Sequence, residues 1–255
     1  MAQPLIGPGD LISLSWQNLR RNIKVYAEFL VWIALLGVVQ WAIWVVTRAL
    51  IPENVLRSAV LALLSLPVAL VLAALTAAMI DATARGVQKK PIDVRASMST
   101  GVHKLIPFIW VAFLSSAATL VGFILLVIPG FIFLVWYRFS QNFAVVDDLR
   151  GMAAMGASRK LSAGRWWPVF VRIALPTLFF YVAASFVTAL AYLLIGSILG
   201  DPGVFFGQAD VNDLPNTHTL ITSVIPQIVN GIALPLFLGS DIILWLELKR
   251  TAGRP

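Results

Sequence analysis

Six apolar runs alternate with short polar connections along the chain, at residues 25–50, 59–80, 105–128, 129–146, 169–199 and 221–248. Each is near or above the ~20 residues that an α-helix needs to cross a hydrocarbon core. The pattern predicts an all-α polytopic membrane protein with six transmembrane helices. No connection is long enough for a soluble domain, so residues 1–255 read as a single integral membrane domain.

Three polar stretches carry a second signal, apolar residues at helical spacing among charged ones. In the first, Gly7-Pro8-Gly9 breaks the chain and Asp10 is the expected helix cap, ahead of Leu11, Leu14, Trp16, Leu19 and Ile23. The other two align without gaps, Ala96-Ser97 through Pro107 on Ala157-Ser158 through Pro168. Lys104 and Arg165 fall at matching places, and each proline falls where a new helix makes its first turn, a position that tolerates it. These stretches predict cytoplasmic interfacial amphipathic helices, each feeding a span. They also suggest parallel repeat units at 10–83, 91–148 and 151–250. Ile128-Pro129-Gly130 is expected to turn the third span into the fourth, and Pro67, Pro176 and Pro235 to kink the spans that hold them.

Composition supports a membrane address. The chain is 59% hydrophobic and 12% charged, with a mean hydropathy of +0.87. Soluble domains average about 25% charged. Of the 19 Lys and Arg residues, the set Arg20, Arg21, Lys24, Arg85, Lys89, Lys90, Arg95, Lys104, Arg150, Arg159, Lys160, Arg165, Lys249, Arg250 and Arg254 falls on one side of the alternating runs. Arg48 and Arg57 fall on the other, with the acidic Asp201, Asp210 and Asp213. Basic residues mark the cytoplasmic side, so both termini are expected in the cytoplasm, in a bacterial inner membrane.

The net charge of +7 is scattered beside span ends. It suits the anionic headgroups of the lipid bilayer rather than nucleic acid. A membrane-protein partner or a homo-oligomer is also compatible. With no cysteine, disulfides and thiolate catalysis are excluded. The first run is too long for a signal-peptide core and reads as an uncleaved span.

Arg138 is the most informative single residue, because an arginine well inside an apolar run costs about 2.5–3.5 kcal/mol on insertion scales. It should face the interior with a partner. Gln141 and Asn142 are expected to share its face, and Asp241 in the last run is the best counter-ion. Two readings stay open, a structural ion pair between spans four and six and a polar site for a solute or ion. Asp81 and Arg85, four apart, suit an interface salt bridge.

His103 and His218 fall on opposite sides and cannot share a metal. No nucleophile elbow, phosphate loop or zinc motif is present. No catalytic residue, metal or cofactor is therefore expected. The leading expectation is a non-catalytic membrane module that organises lipid or partner proteins. The alternative is a small-solute or ion transporter or channel.

One stretch carries a resemblance. Leu126-Val127-Ile128-Pro129-Gly130-Phe131 leads through Trp136-Tyr137-Arg138-Phe139-Ser140 to Asp147-Asp148, then Gly151-Met152-Ala153, Ala157-Ser158-Arg159-Lys160-Leu161 and Gly164-Arg165-Trp166-Trp167. This resembles a group of bacterial six-span proteins similar to the membrane domain attached to some glycerophosphoryl diester phosphodiesterases. The resemblance implies a six-span fold and a membrane address. It implies no activity, because the phosphodiesterase catalytic domain has no counterpart here.

Overall fold

Five of the six apolar runs form single long helices: α2 (Ile23–Leu50), α3 (Val55–Val87), α5 (Leu105–Leu125), α9 (Trp166–Ile198) and α10 (Asn216–Ala252). This is seen in a computed structural model that describes residues 5–200, 203–206 and 215–252. Every regular element among the described residues is helical. The five helices are long and apolar enough to cross a membrane. They show apolar side chains outward, with Leu50, Val55, Ile106, Ile124 and Ile198 each more than two-thirds exposed. A soluble surface does not sustain apolar patches on that scale, so these are the helices of a transmembrane protein. The acidic connection with Asp201, Asp210 and Asp213 lies outside the described residues, as does Arg254.

The fourth run departs from expectation. It is divided into α6 (Val127–Tyr137) and α7 (Ser140–Val146), and neither piece alone crosses a bilayer. The prolines inside α3, α9 and α10 do not interrupt those helices.

The three amphipathic stretches are α1 (Pro8–Arg21), α4 (Val94–His103) and α8 (Gly151–Ser162). Helix α1 begins earlier than expected. Gly7 is its cap and Pro8 its first residue, while Asp10 lies in the first turn. Proline fits there because first-turn N–H groups have no helical partner. Asp93 caps α4 by accepting the amides of Arg95 and Ala96.

Each amphipathic helix includes a serine on its buried face, beside Leu11, Asn18 and Leu19 in α1 and beside Ala154, Met155 and Leu161 in α8. In α4 the buried residues are Ser97 and Gly101. The Ser97 hydroxyl donates to Asp81 of α3 at 2.8 Å, and Arg85 donates to the same carboxylate at 2.9 Å. A Cβ at Gly101 would come within 2.3 Å of the Ala74 carbonyl, so only glycine permits this approach. In α8 the matching Ser158 is buried with Ser162. In α1 Ser15 is buried against Gly239 of α10. Arg20 of α1 and Arg159 and Lys160 of α8 are exposed.

The chain packs as two compact units. Unit 1 comprises residues 1–25, 73–179 and 235–255, and unit 2 comprises 26–72 and 180–234. Unit 1 holds α1, α4 to α8 and segments of α2, α3, α9 and α10. Its core gathers Leu11, Val111, Phe139, Val145, Ile242 and Trp245. In unit 2, α2 meets α10 where Gly37 faces Gln227 and Gly231 faces Leu30. Polar links there join Gln40 to Ser65 at 2.8 Å and Trp41 to Thr219 at 3.2 Å. The units do not follow the three proposed repeat blocks. The middle block falls wholly in unit 1, and the first and third are each divided between both units.

Candidate functional site

The site in unit 1 starts from the α5–α6 hairpin. Its turn is a single extended residue, Leu126 (φ −164°, ψ 149°), not Ile128-Pro129-Gly130. Those three residues lie inside the first turn of α6, where proline is again tolerated. Gly130 serves close packing rather than turning. A Cβ there would come within 2.3 Å of the Phe123 ring, and one at Gly122 would come within 3.0 Å of the Gly130 Cα. Beside them Phe123 and Phe131 meet edge to face at 5.4 Å.

The close hairpin runs up to Arg138, where the helix breaks. A break in a helix orphans backbone groups, which must find partners elsewhere. Helix α8 supplies the missing partners. The Ser158 hydroxyl donates to the Trp136 carbonyl at 2.6 Å and accepts the Phe139 amide at 3.1 Å. The Ser162 hydroxyl donates to the Val135 carbonyl at 3.3 Å.

Helix α10 binds both sides of the break. Arg138 Nη2 donates to Asp241 Oδ2 at 2.5 Å, with the arginine side chain 35% exposed and the aspartate 13%. Lys249 Nζ donates to Asp147 at 2.6 Å. Its ammonium lies over the Trp245 ring at 4.5 Å and near that of Phe143 at 5.6 Å. Asp241, Trp245 and Lys249 are spaced four apart, so they form one stripe of α10. From the other side Lys104 pairs with Asp148 at 3.3 Å and donates to the Val145 carbonyl at 2.9 Å. Asp148 has a φ of +57°, left-handed backbone at which the chain turns out of α7.

Beside the ion pair lies an open-sided cavity of about 390 Å³. Helix α5 contributes Ser115, Ser116, Thr119, Leu120 and Phe123, and the α6–α7 segment contributes Leu134, Tyr137, Arg138 and Gln141. Ser115 and Thr119 turn their protons back to carbonyls of α5, at Ala112 (3.0 Å) and Ser115 (2.8 Å). Their lone pairs remain free. Arg138 keeps Nε and Nη1 free of protein acceptors among the described residues, and the side chains of Ser116, Tyr137 and Gln141 make no hydrogen bond to protein there.

The structure thus brings Arg138, Gln141 and Asp241 together but not Asn142, which is buried and does not line the cavity. The break accounts for the difference, because spacing arguments across Arg138 assume one continuous helix. Sequence reasoning missed the three hydroxyl residues of α5, although hydroxyls clustered in the middle of an apolar run were a usable signal. It also missed the Lys249–Asp147 pair.

Chemically, the arrangement can bind and orient a polar group. Among the described residues no three His, Cys, Asp or Glu side chains are grouped to hold a metal ion. No family model, curated protein or solved structure matches the chain.

Proposed function

We propose that this chain is a non-catalytic module of a bacterial inner membrane, crossing it six times with both termini in the cytoplasm. It gathers anionic lipid or a membrane-protein partner around its basic residues. The fourth crossing in this count is α6–α7, broken at Arg138. One observation carries the reading. Every described Lys or Arg assigned to the cytoplasm from sequence belongs to unit 1, whereas Arg48 and Arg57 belong to unit 2. The side assignment follows from charge and unit membership from chain packing, so their agreement supports a basic, lipid-facing cytoplasmic unit. The resemblance to the phosphodiesterase-linked membrane domain fits the same architecture.

The test is thermal unfolding in phosphatidylcholine nanodiscs with and without phosphatidylglycerol. Anionic lipid should raise the unfolding temperature, and salt should shrink the difference, because exposed charges are screened. Equal stability in both lipids at low salt would remove the reading.

A second reading, a small-solute or ion transporter or channel, is favoured by the cavity at Arg138. A sealed ion pair would have spoken against it, and this pair is open on the arginine side. Proteoliposomes loaded with a panel of anions and cations should then show flux that Arg138→Leu/Asp241→Leu abolishes. Impermeability across the panel would leave the first reading alone.

A further inference from the structure

We propose that the cavity between α5 and the α6–α7 break binds an oxyanion, the headgroup of an amphiphile entering from the lipid. The proposal rests on the cavity that favours the second reading, but it needs no transport.

Four observations converge. First, Arg138 uses only Nη2 on Asp241, and its remaining N–H groups have no protein acceptor among the described residues. A guanidinium bonded on one edge keeps another for a phosphate or carboxylate, its best-matched partners. Second, Ser116, Tyr137 and Gln141 add donors to the same cavity, none with a protein acceptor. The cavity is therefore rich in unsatisfied donors, which an oxyanion relieves. Third, Ser115 and Thr119 present lone pairs alone, because their protons are committed to α5 carbonyls. They suit a hydroxyl on the ligand, either on the oxyanion itself or beside it.

Fourth, the lining is divided by chemistry. Leu120, Phe123 and Leu134 complete it, with Leu120 61% exposed and Ile124, one turn further along α5, 74% exposed. Ser115 is ten residues from the start of α5, or roughly 15 Å at 1.5 Å per residue. The polar group thus lies near the middle of a helix long enough to cross a membrane, with an apolar face continuing outward. A free anion would have no use for that face, whereas an acyl chain would cover it.

The test uses the full-length protein in phosphatidylcholine nanodiscs and three probes: lysophosphatidic acid, inorganic phosphate and lysophosphatidylcholine. Lysophosphatidic acid offers a phosphate monoester, a hydroxyl and one chain. It should bind saturably, one per protein, and outcompete lysophosphatidylcholine, whose phosphate carries a choline. If inorganic phosphate binds as tightly, the oxyanion site stands and its ligand comes from water. Gln141→Leu and Tyr137→Phe leave the ion pair intact and should each weaken lysophosphatidic acid binding about tenfold, the value of one lost hydrogen bond to a charged group. The double variant Arg138→Leu/Asp241→Leu, which leaves no unpaired charge, should lose saturable binding altogether.

Failure of both phosphate probes to saturate would overturn the proposal, as would binding indifferent to all these variants. Saturable binding without flux would sink transport and leave the site. Stabilisation by phosphatidylglycerol that survives in the double variant would separate surface recruitment from this cavity.

Discussion

Ser158 closes the gap that Arg138 opens: its hydroxyl donates to the Trp136 carbonyl at 2.6 Å and accepts the Phe139 amide at 3.1 Å. One fully buried side chain thus satisfies backbone groups on both sides of a helix break. Its counterpart Ser97, at the matching place of the other Ala-Ser segment, is equally buried and bonds to Asp81. In both segments the serine of the Ala-Ser pair is a docking contact.

Ser158→Ala should therefore destabilise the protein more than an ordinary buried serine does. Two backbone groups lose their partner, at about 1–3 kcal/mol for each buried group left unsatisfied. Thermal unfolding in detergent checks this, with Ser13→Ala on the exposed face of α1 as the control. Equal shifts in the two variants would mean that the break is satisfied by other means.

Two glycines of the amphipathic helices should respond in opposite directions to alanine. At Gly101 the added Cβ would meet the Ala74 carbonyl at 2.3 Å, and backbone cannot yield cheaply, so Gly101→Ala should loosen α4 from α3 and lower the unfolding temperature. At Gly156, within α8, nothing lies within 4 Å. Gly156→Ala should be neutral or stabilising by up to about 1 kcal/mol, from helix propensity and reduced unfolded-state entropy.

At the hairpin, Gly130→Ala should be strongly destabilising, because its Cβ would enter the Phe123 ring. Adding Phe123→Ala should recover part of the loss by removing that ring. An unfolding temperature unaffected by Gly130→Ala would show that α5 and α6 are not held this closely.

Sidedness is open to direct labelling, because the chain has no cysteine and single introduced thiols carry no background. Lys89→Cys and Lys160→Cys should resist an impermeant maleimide in intact cells, while Pro52→Cys, between α2 and α3, should react. Labelling at Lys89→Cys without labelling at Pro52→Cys would invert the orientation.

Much of the fold was legible because hydrophobic length is a local property. The ends of α2 and α5 fall within a few residues of the apolar runs that announced them. Arg138 and Asp241 were legible for a related reason, since a charge within an apolar run needs a partner and these runs offer few. The break in the fourth run was not legible. Residues 129–137 and 140–146 read as one apolar run, and the hydroxyls that satisfy the break come from a separate helix, α8. The cavity was not legible because the hydroxyl cluster of Ser115, Ser116 and Thr119 marks a polar spot on α5 without showing that Tyr137 and Gln141 line the same space. The turn was misplaced because proline and glycine signal turns, whereas here they allow close packing within a helix.

The most direct measurement is a double-mutant cycle on the Arg138–Asp241 ion pair, since the site depends on these residues sharing one interaction. Arg138→Leu and Asp241→Leu should each lower the unfolding temperature, costing about 3–5 kcal/mol by analogy with buried pairs in soluble proteins. The double variant should recover much of that loss, because neither charge is then left without a partner. Strictly additive losses across the cycle would mean that the two residues do not interact and would contradict the site.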